Sequence, residues 1–167
     1  MATRKKSGAK QKPAAKTAGK ARAARRSKPA AKLAVPKRKE PQALRLRAFT
    51  PGFTVNDIAR SVAWYRDVLG FIVADEWRDK GVLRGAEMKA GAVTLFLGQD
   101  DWKKGTDRSK GAGFRLYCTT AQDVDRLAAL VKSRGGVLAH EPQTQPWGER
   151  DFGLVDPDGF NITITGG

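Results

Sequence analysis

Apolar and polar residues alternate near the end of the chain. Phe160, Ile162 and Ile164 are separated by polar residues, and residues 150 to 155 form a second strand-like run before the segment DPDG at 156–159. Alternation places the three apolar side chains on one face of a strand. Proline fixes φ at the first corner of a turn, and glycine supplies the positive φ that closes it. The pattern predicts a β-hairpin.

Two other stretches carry apolar residues at helical spacing. The apolar face of the first is Ile58, Val62, Tyr65 and Leu69. Asn56 is expected to cap this helix, and Gly70 to end it. The apolar face of the second is Val124, Leu127, Leu130 and Val131. Thr120 and Asp123 are expected to form its capping box, so two amphipathic helices are predicted.

Strand-like runs surround both helices in the same order. They span about 46–55, 71–78, 82–89 and 92–98, and then about 114–120, 137–144, 150–155 and 160–165. Phe53 is expected to face the core from the first run. An offset of 66 residues lays Asp57 on Asp123 and Gly70 on Gly136. A unit of one strand, one helix and three strands is therefore predicted twice.

Two motifs in this order resemble the vicinal oxygen chelate superfamily of glyoxalase I, bleomycin resistance proteins and extradiol dioxygenases. They are FTVNDIARSVAWYRDVLGF at 53–71 and PWGERDFGLVDPDGFNITI at 146–164. The resemblance, to metal-free bleomycin-resistance-type members above all, implies an α+β fold. Two βαβββ modules, at about 45–98 and 113–166, would pair into a curved mixed sheet with a concave ligand cleft. The domain is expected over 43–167, after a tail at 1–42.

Metal-using members of this superfamily place His or Gln, and Glu, on the concave faces of the first and last strands of each module. The matching positions of this sequence are Thr50, Phe96, Arg115 and Thr163. Threonine is a poor ligand, phenylalanine is none, and arginine repels a cation. No metal and no other cofactor is therefore expected, and an enzyme is the less favoured interpretation.

A ligand cleft is implied with a floor of Thr50, Phe96 and Thr163. Trp147 and Arg150 would flank it, because an indole and a guanidinium offer stacking and a grip on an anion or carbonyl. Trp102 lies in a polar crossover loop at 98–113 that is expected to fold over the cleft mouth. Each has a structural alternative: Trp147 would order the hairpin entrance, Arg150 would pair with Asp151 or Glu149, and Trp102 would anchor its loop.

Neither the only histidine nor the only cysteine indicates catalysis. His140 lies outside the four family positions and is expected to be a surface or structural residue, so no catalytic triad is predicted. Cys118 lies in an apolar run and is expected to be a buried structural thiol. A single cysteine cannot form an internal disulfide, which is typical of a reducing compartment.

The charge of the chain is concentrated at one end. Residues 1–42 hold 15 of the 32 Lys and Arg and one acid, which gives this tail a net charge of +14. Such a segment is expected to be disordered and to bind DNA or RNA non-specifically through phosphates. Candidate contacts are Lys12, Lys16, Arg25, Arg26, Lys28 and Lys32. A solvated tail and an organelle transit peptide are the alternatives.

Three classes of function follow. The leading hypothesis is metal-independent binding of a small planar or aromatic compound, in resistance or sequestration. The second is a metal-dependent lyase or dioxygenase that would use the displaced ligands Glu76, Glu87, His140 and Glu141. The third is a nucleoid-associated protein whose domain dimerises. A homodimer, a cytoplasmic or nucleoid location and no membrane association are expected.

Overall fold

The computed structural model describes residues 48–167. Its elements in chain order are β1 Gly52–Val55, α1 Ile58–Asp67, β2 Ile72–Asp79, β3 Val82–Ala90, β4 Val93–Gln99, β5 Arg115–Thr120, α2 Val124–Ser133, β6 Leu138–Thr144, β7 Arg150–Val155 and β8 Asn161–Gly166. The βαβββ unit occurs twice, which confirms the predicted fold class. The expected tail lies outside the described residues. Neither helix of residues 48–167 is long and apolar enough to cross a membrane.

Each module folds into its own mixed sheet. Sheet A has the strand order β1-β4-β3-β2, and sheet B repeats it as β5-β8-β7-β6. The first and last strands of each module run parallel, and the remaining pairs are antiparallel. No strand of one sheet pairs with a strand of the other in the part of the chain that the structure describes. The modules are therefore joined by side chains and turns.

Both helices begin at an aspartate. Asp57 has an extended backbone and its carboxylate accepts a hydrogen bond from Arg60 N at 3.1 Å, while Asp123 accepts one from Arg126 N at 2.9 Å. Each satisfies an amide that has no partner within its helix. The predicted Asn56 cap was wrong by one residue, because Asp57 occupies the N-cap position, while the backbone N–H of Asn56 donates to Asp158. The predicted Thr120 cap was wrong by three residues, since Asp123 itself caps α2.

The buried face of α2 also differs from the prediction. Val124, Ala128 and Val131 are buried, whereas Leu130 is 41% exposed. The spacing of four and then three residues follows the helical period, so the small Ala128 faces the core while Leu130 turns toward solvent. In α1 the predicted Ile58 and its face partners are buried, apart from the partly buried Leu69.

The β7–β8 turn of the second module is inserted against the first module. The Tyr65 hydroxyl on α1 donates to an Asp156 carboxylate oxygen at 2.9 Å, and Ser61 Oγ donates to Asp158 at 2.7 Å. Beside the turn, the Phe160 ring stacks on Phe53 of β1 with centroids 3.9 Å apart. The predicted hairpin is confirmed, and its turn is also a junction between the modules.

Asp156 is the buried acceptor of that junction. Its second carboxylate oxygen accepts the amide hydrogens of Asp158 at 2.9 Å and Phe160 at 2.8 Å, which holds the turn in shape. Burial raises the pKa of Asp156 above the usual carboxyl range, while its hydrogen bonds oppose the rise. Burial and the neighbouring Asp156 carboxylate also raise the pKa of Tyr65. The Tyr65 hydroxyl therefore stays protonated and donates.

Replacing Tyr65 with phenylalanine should lower the free energy of unfolding by about 1–3 kcal/mol, since a buried carboxylate loses a donor. The same loss should raise the pKa of Asp156 further. Because that pKa is already raised, its contribution to stability is complete below the unfolded carboxyl value of about 3.9 and is lost as pH rises through the folded value. Chemical denaturation and an NMR titration of Asp156 would measure both effects.

Tyr117→Phe is the matched control, because Tyr117 is 64% exposed and its hydroxyl makes no hydrogen bond among residues 48–167. Equal stability of the two variants would show that the Tyr65–Asp156 bond does not join the modules.

Candidate functional site

Each sheet has one face against the helices and core and one open face. In sheet A, opposed residues of neighbouring strands share a face, so the strand register assigns each side chain. The core side carries Phe53, Ala86 and Leu97, all buried. We call the opposite side open face A; its residues include Thr54, Trp77, Gly85, Glu87, Phe96 and Gly98.

Two aromatic side chains stand on open face A. Trp77 is 43% exposed and Phe96 is 39% exposed, and their rings meet edge to face with centroids 5.5 Å apart. Trp77 lies over Gly85, the residue opposite it in β3. A Cβ on Gly85 would come within 2.6 Å of the indole, so the glycine allows the ring to lie close to the sheet.

A β-bulge separates Trp77 from the end of the same hairpin. Trp77 is opposite Gly85 and Arg78 is opposite Leu83, so Arg84 is the extra residue of β3. Bulges commonly redirect a side chain near a binding site. Arg84 lines a shallow depression of about 480 Å³ on this face. The other lining residues are Gly52, Phe53, Thr54, Trp77, Gly85, Phe96, Leu97 and Gly98.

The open face of sheet B is more polar. By register it carries Tyr117, His140, Asp151, Gly153, Thr163 and Thr165, which we call open face B. Thr163 is only 5% exposed, so it belongs to the floor of open face B and not to its edge. Asp151 is buried and accepts a hydrogen bond from Gln145 at 2.7 Å. His140 covers Gly153, since a Cβ there would come within 2.6 Å of the imidazole.

The strand register gives the four family metal positions equivalent places in the two modules. They are Thr50, Phe96, Arg115 and Thr163. Phe96 is opposite Gly52 in β1, as Thr163 is opposite Tyr117 in β5. Thr50 and Arg115 each lie two residues before those partners. One ring, one guanidinium and two hydroxyls do not make a ligand set for a divalent cation, so these residues do not fit a metal.

The displaced ligands of the metalloenzyme alternative are occupied by other partners. Glu76 pairs with Arg78, Glu87 with Lys89, and Glu141 with Lys132, at N to O distances of 2.6, 3.0 and 2.8 Å. Within the described range, no group of three or more His, Cys, Asp or Glu could hold a metal ion. His140 lies on open face B and belongs to no such group.

Trp102 lies in the crossover loop, where Asp100 organises the chain. The buried Asp100 carboxylate accepts hydrogen bonds from Trp102 N at 2.9 Å and Arg108 at 2.6 Å, and it pairs with Lys110. The Lys110 ammonium lies 5.0 Å from the centroid of the Trp102 ring, a cation–π distance. These contacts anchor the loop, as the structural alternative for Trp102 expects.

Trp147 and Arg150 do not lie together on an open face. Arg150 forms two hydrogen bonds with Asp125 of α2, at 2.6 and 2.7 Å, which places its guanidinium on the helix side of sheet B. The expected pairing with Asp151 or Glu149 was therefore wrong, because the side chain points to the helix and not along the sheet. This pairing lowers the pKa of Asp125 and raises that of Arg150. Trp147 is exposed, and its indole N–H donates to Glu149 at 3.3 Å. Phe96 and Thr163 are the expected cleft residues that the structure places on the open faces.

Cys118 and the tail residues complete the sequence-based candidates. Cys118 is half-buried on the core side of β5, and burial raises the pKa of its thiol. A raised pKa keeps the thiol protonated and unreactive. The six tail residues from Lys12 to Lys32 lie outside the described residues.

Sequence reasoning missed three residues of the open faces: Trp77, Arg84 and Tyr117. Alternation in β5 could have assigned Tyr117, because it falls on the side opposite the core positions of that strand. Alternation in β2 would have placed Trp77 on the core side with Val73, because a register shift after Val73 turns the following residues to the other face. Arg84 could not have been assigned in this way. The bulge shifts the register beside it, and a single sequence carries no clear signal for that shift.

Two βαβββ modules, each with one helix-covered and one open sheet face, define the fold class of the protein. Residues 47–164 match the family model described as the Glyoxalase/Bleomycin resistance protein/Dioxygenase superfamily. The chain belongs to this superfamily, as its two motifs indicated.

Known relatives agree with this assignment. Bleomycin resistance proteins of Geobacillus stearothermophilus and Staphylococcus aureus are 29% identical over 127 residues, covering 68% of this chain and 92% of each relative. TioX from Micromonospora sp. ML1 superimposes with a TM-score of 0.59 at 20% identity, over 70% of this chain and 94% of its own. Lactoylglutathione lyase from Agrobacterium tumefaciens superimposes with a TM-score of 0.56 at 17% identity, over 73% of this chain and 95% of its own. These two structures show the shared fold.

Gly85→Ala should displace the Trp77 indole and lower the free energy of unfolding by about 1–2 kcal/mol, because the added methyl overlaps the ring. Gly52→Ala is the matched control on the same face, since no heavy atom lies within 4 Å of a Cβ there. The shift of the Trp77 indole N–H in an NMR spectrum would report the displacement. An unmoved indole in Gly85→Ala would contradict the packing of Trp77 on this glycine.

Proposed function

We propose that the protein binds a small molecule on its open sheet faces without a metal and without transforming it. One observation carries the proposal. At the four positions where metal-using members of the superfamily hold their ligands, this chain has Thr50, Phe96, Arg115 and Thr163. Binding through rings, hydroxyls and a guanidinium needs no metal.

The surroundings of these positions support a binding surface. Exposed aromatic rings stand beside them on both open faces, with Trp77 next to Phe96 and Tyr117 next to Thr163. Aromatic side chains contribute large contact areas at small-molecule sites. Similarity to bleomycin resistance proteins supports a role in resistance or sequestration, in which the bound compound is withheld from its target.

The chain purified without chelator, after growth with added nickel, zinc, manganese and iron, should contain well under one divalent ion per chain by elemental mass spectrometry. Compounds that raise its melting temperature should do so equally with and without EDTA. One tightly held ion per chain, or ligand binding that EDTA removes, would instead favour the lyase or dioxygenase alternative.

A second proposal concerns the tail at 1–42, which would bind nucleic acid without sequence preference. Its net charge of +14 supports this, because the remaining residues carry 17 basic and 16 acidic side chains and nearly cancel. The homodimer stays a prediction, which a measurement of the protein's mass in solution would test. The nucleoid-associated role depends on that dimer and also stays a prediction.

The full chain should elute from heparin or DNA resin at a much higher salt concentration than residues 43–167. Charge neutralisation of phosphates by the tail releases counterions, so retention should fall steeply as salt rises. Similar retention of both proteins would place the nucleic-acid affinity in the domain and not in the tail.

A further inference from the structure

We propose that the depression on open face A binds a flat aromatic ring system that carries an anionic group. The ring would lie against Trp77 and Phe96, and the anion would meet Arg84. This ligand class rests on the proposed function, which gives the open faces a small-molecule ligand.

The shape of the depression favours a flat ring. Its walls are the Trp77 and Phe96 rings, inclined at 79° to each other. Its floor is backbone, because Gly52 and Gly98 leave the space above them empty: a Cβ at Gly52 meets nothing within 4 Å, and one at Gly98 meets only the Phe53 carbonyl at 4.0 Å. A planar ring can contact such a floor and stack on one wall while it meets the other edge-on.

The charge at the depression favours an anion. Arg84 makes no ion pair with any residue in 48–167, whereas the nearby Arg78 and Lys89 pair with Glu76 and Glu87. A guanidinium without a carboxylate partner presents its paired N–H groups to a ligand carboxylate, sulfonate or phosphate.

Neighbouring acids do not cancel this preference. Glu87 is opposite Phe96 in the sheet, but its carboxylate lies 3.0 Å from the Lys89 ammonium. Asp75 is opposite Glu87 on β2, and neither of these acids lines the depression. A cationic ring compound would therefore meet Arg84 as a like charge, which opposes its binding.

Three probes of matched shape separate the ring from the charge: 2-naphthoate, 2-naphthylmethanol and 2-naphthylmethylammonium. Each is titrated into the full chain at about 0.15 M salt, which screens the basic tail. Binding is followed by the indole N–H signals of Trp77 and the three other tryptophans. We expect 2-naphthoate to shift Trp77 and to bind about tenfold more tightly than the neutral alcohol, with the ammonium weakest.

Arg84→Gln tests the role of the guanidinium. It should weaken 2-naphthoate about tenfold and leave the neutral alcohol unchanged. Arg78→Gln is the matched control: Arg78 belongs to the same hairpin but is paired with Glu76, so this change should alter neither affinity. Gly98→Val tests the floor, because its Cβ would enter the depression and meet only the Phe53 carbonyl oxygen, at 4.0 Å. It should abolish binding of all three probes while the melting temperature is kept.

The outcomes separate the ligand class from the proposed function. Equal binding of anion and alcohol, tighter binding of the ammonium, or an Arg84→Gln variant that binds 2-naphthoate normally would overturn the anionic class. If the probes still shift Trp77 and Gly98→Val removes that shift, small-molecule binding on open face A stands. Failure of every probe to shift Trp77 would overturn the ligand class and also count against open face A as a binding surface.

Discussion

The contact between the β7–β8 turn and α1 is the constraint on which the arrangement of the modules depends. No backbone hydrogen bond joins sheet A to sheet B among residues 48–167, so the turn supplies what strand pairing does not. Asp156 bonds to the Tyr65 hydroxyl on one side and to two amides of its own turn on the other. At the corresponding β3–β4 turn, a Cβ added to Gly91 would meet no atom within 4 Å, and no side-chain hydrogen bond among residues 48–167 joins this turn to the second module. The repeat is therefore symmetric in its topology but not in its docking.

This docking leaves the two sheets free to present their open faces. Helices and core occupy one side of each sheet, and the inter-module hydrogen bonds lie on that same side. Rings, glycines and hydroxyls lie on the other side of the sheets. The separation explains how a domain can keep the superfamily fold while Thr50, Phe96, Arg115 and Thr163 occupy the positions of metal ligands.

The repeat, the two helices and most strand positions could be predicted from the sequence, because periodic burial sets them. Phe53 and Tyr65, for example, fall at core positions of the pattern and are buried. The predictions that were wrong concern residues whose position depends on competition between neighbouring groups. Asn56 and Asp57 are both good caps, and the backbone at Asn56 is held by a hydrogen bond from its N–H to Asp158, 102 residues away. The same limit applies to Arg84, whose direction follows from a shift between strands, and to Arg150, whose partner Asp125 lies on a helix.

The empty space above Gly52 and Gly98 has an evolutionary consequence. An alanine at either position would change the shape of the surface without disturbing a packed atom, since its Cβ would meet nothing within 4 Å at residue 52 and only the Phe53 carbonyl at residue 98. Neither residue has a positive φ, so a side chain there would not be held in the left-handed region. Selection for a different compound could therefore proceed by single mutations with little loss of stability, and close homologues of this chain could diverge in ligand preference while their folds remain superimposable.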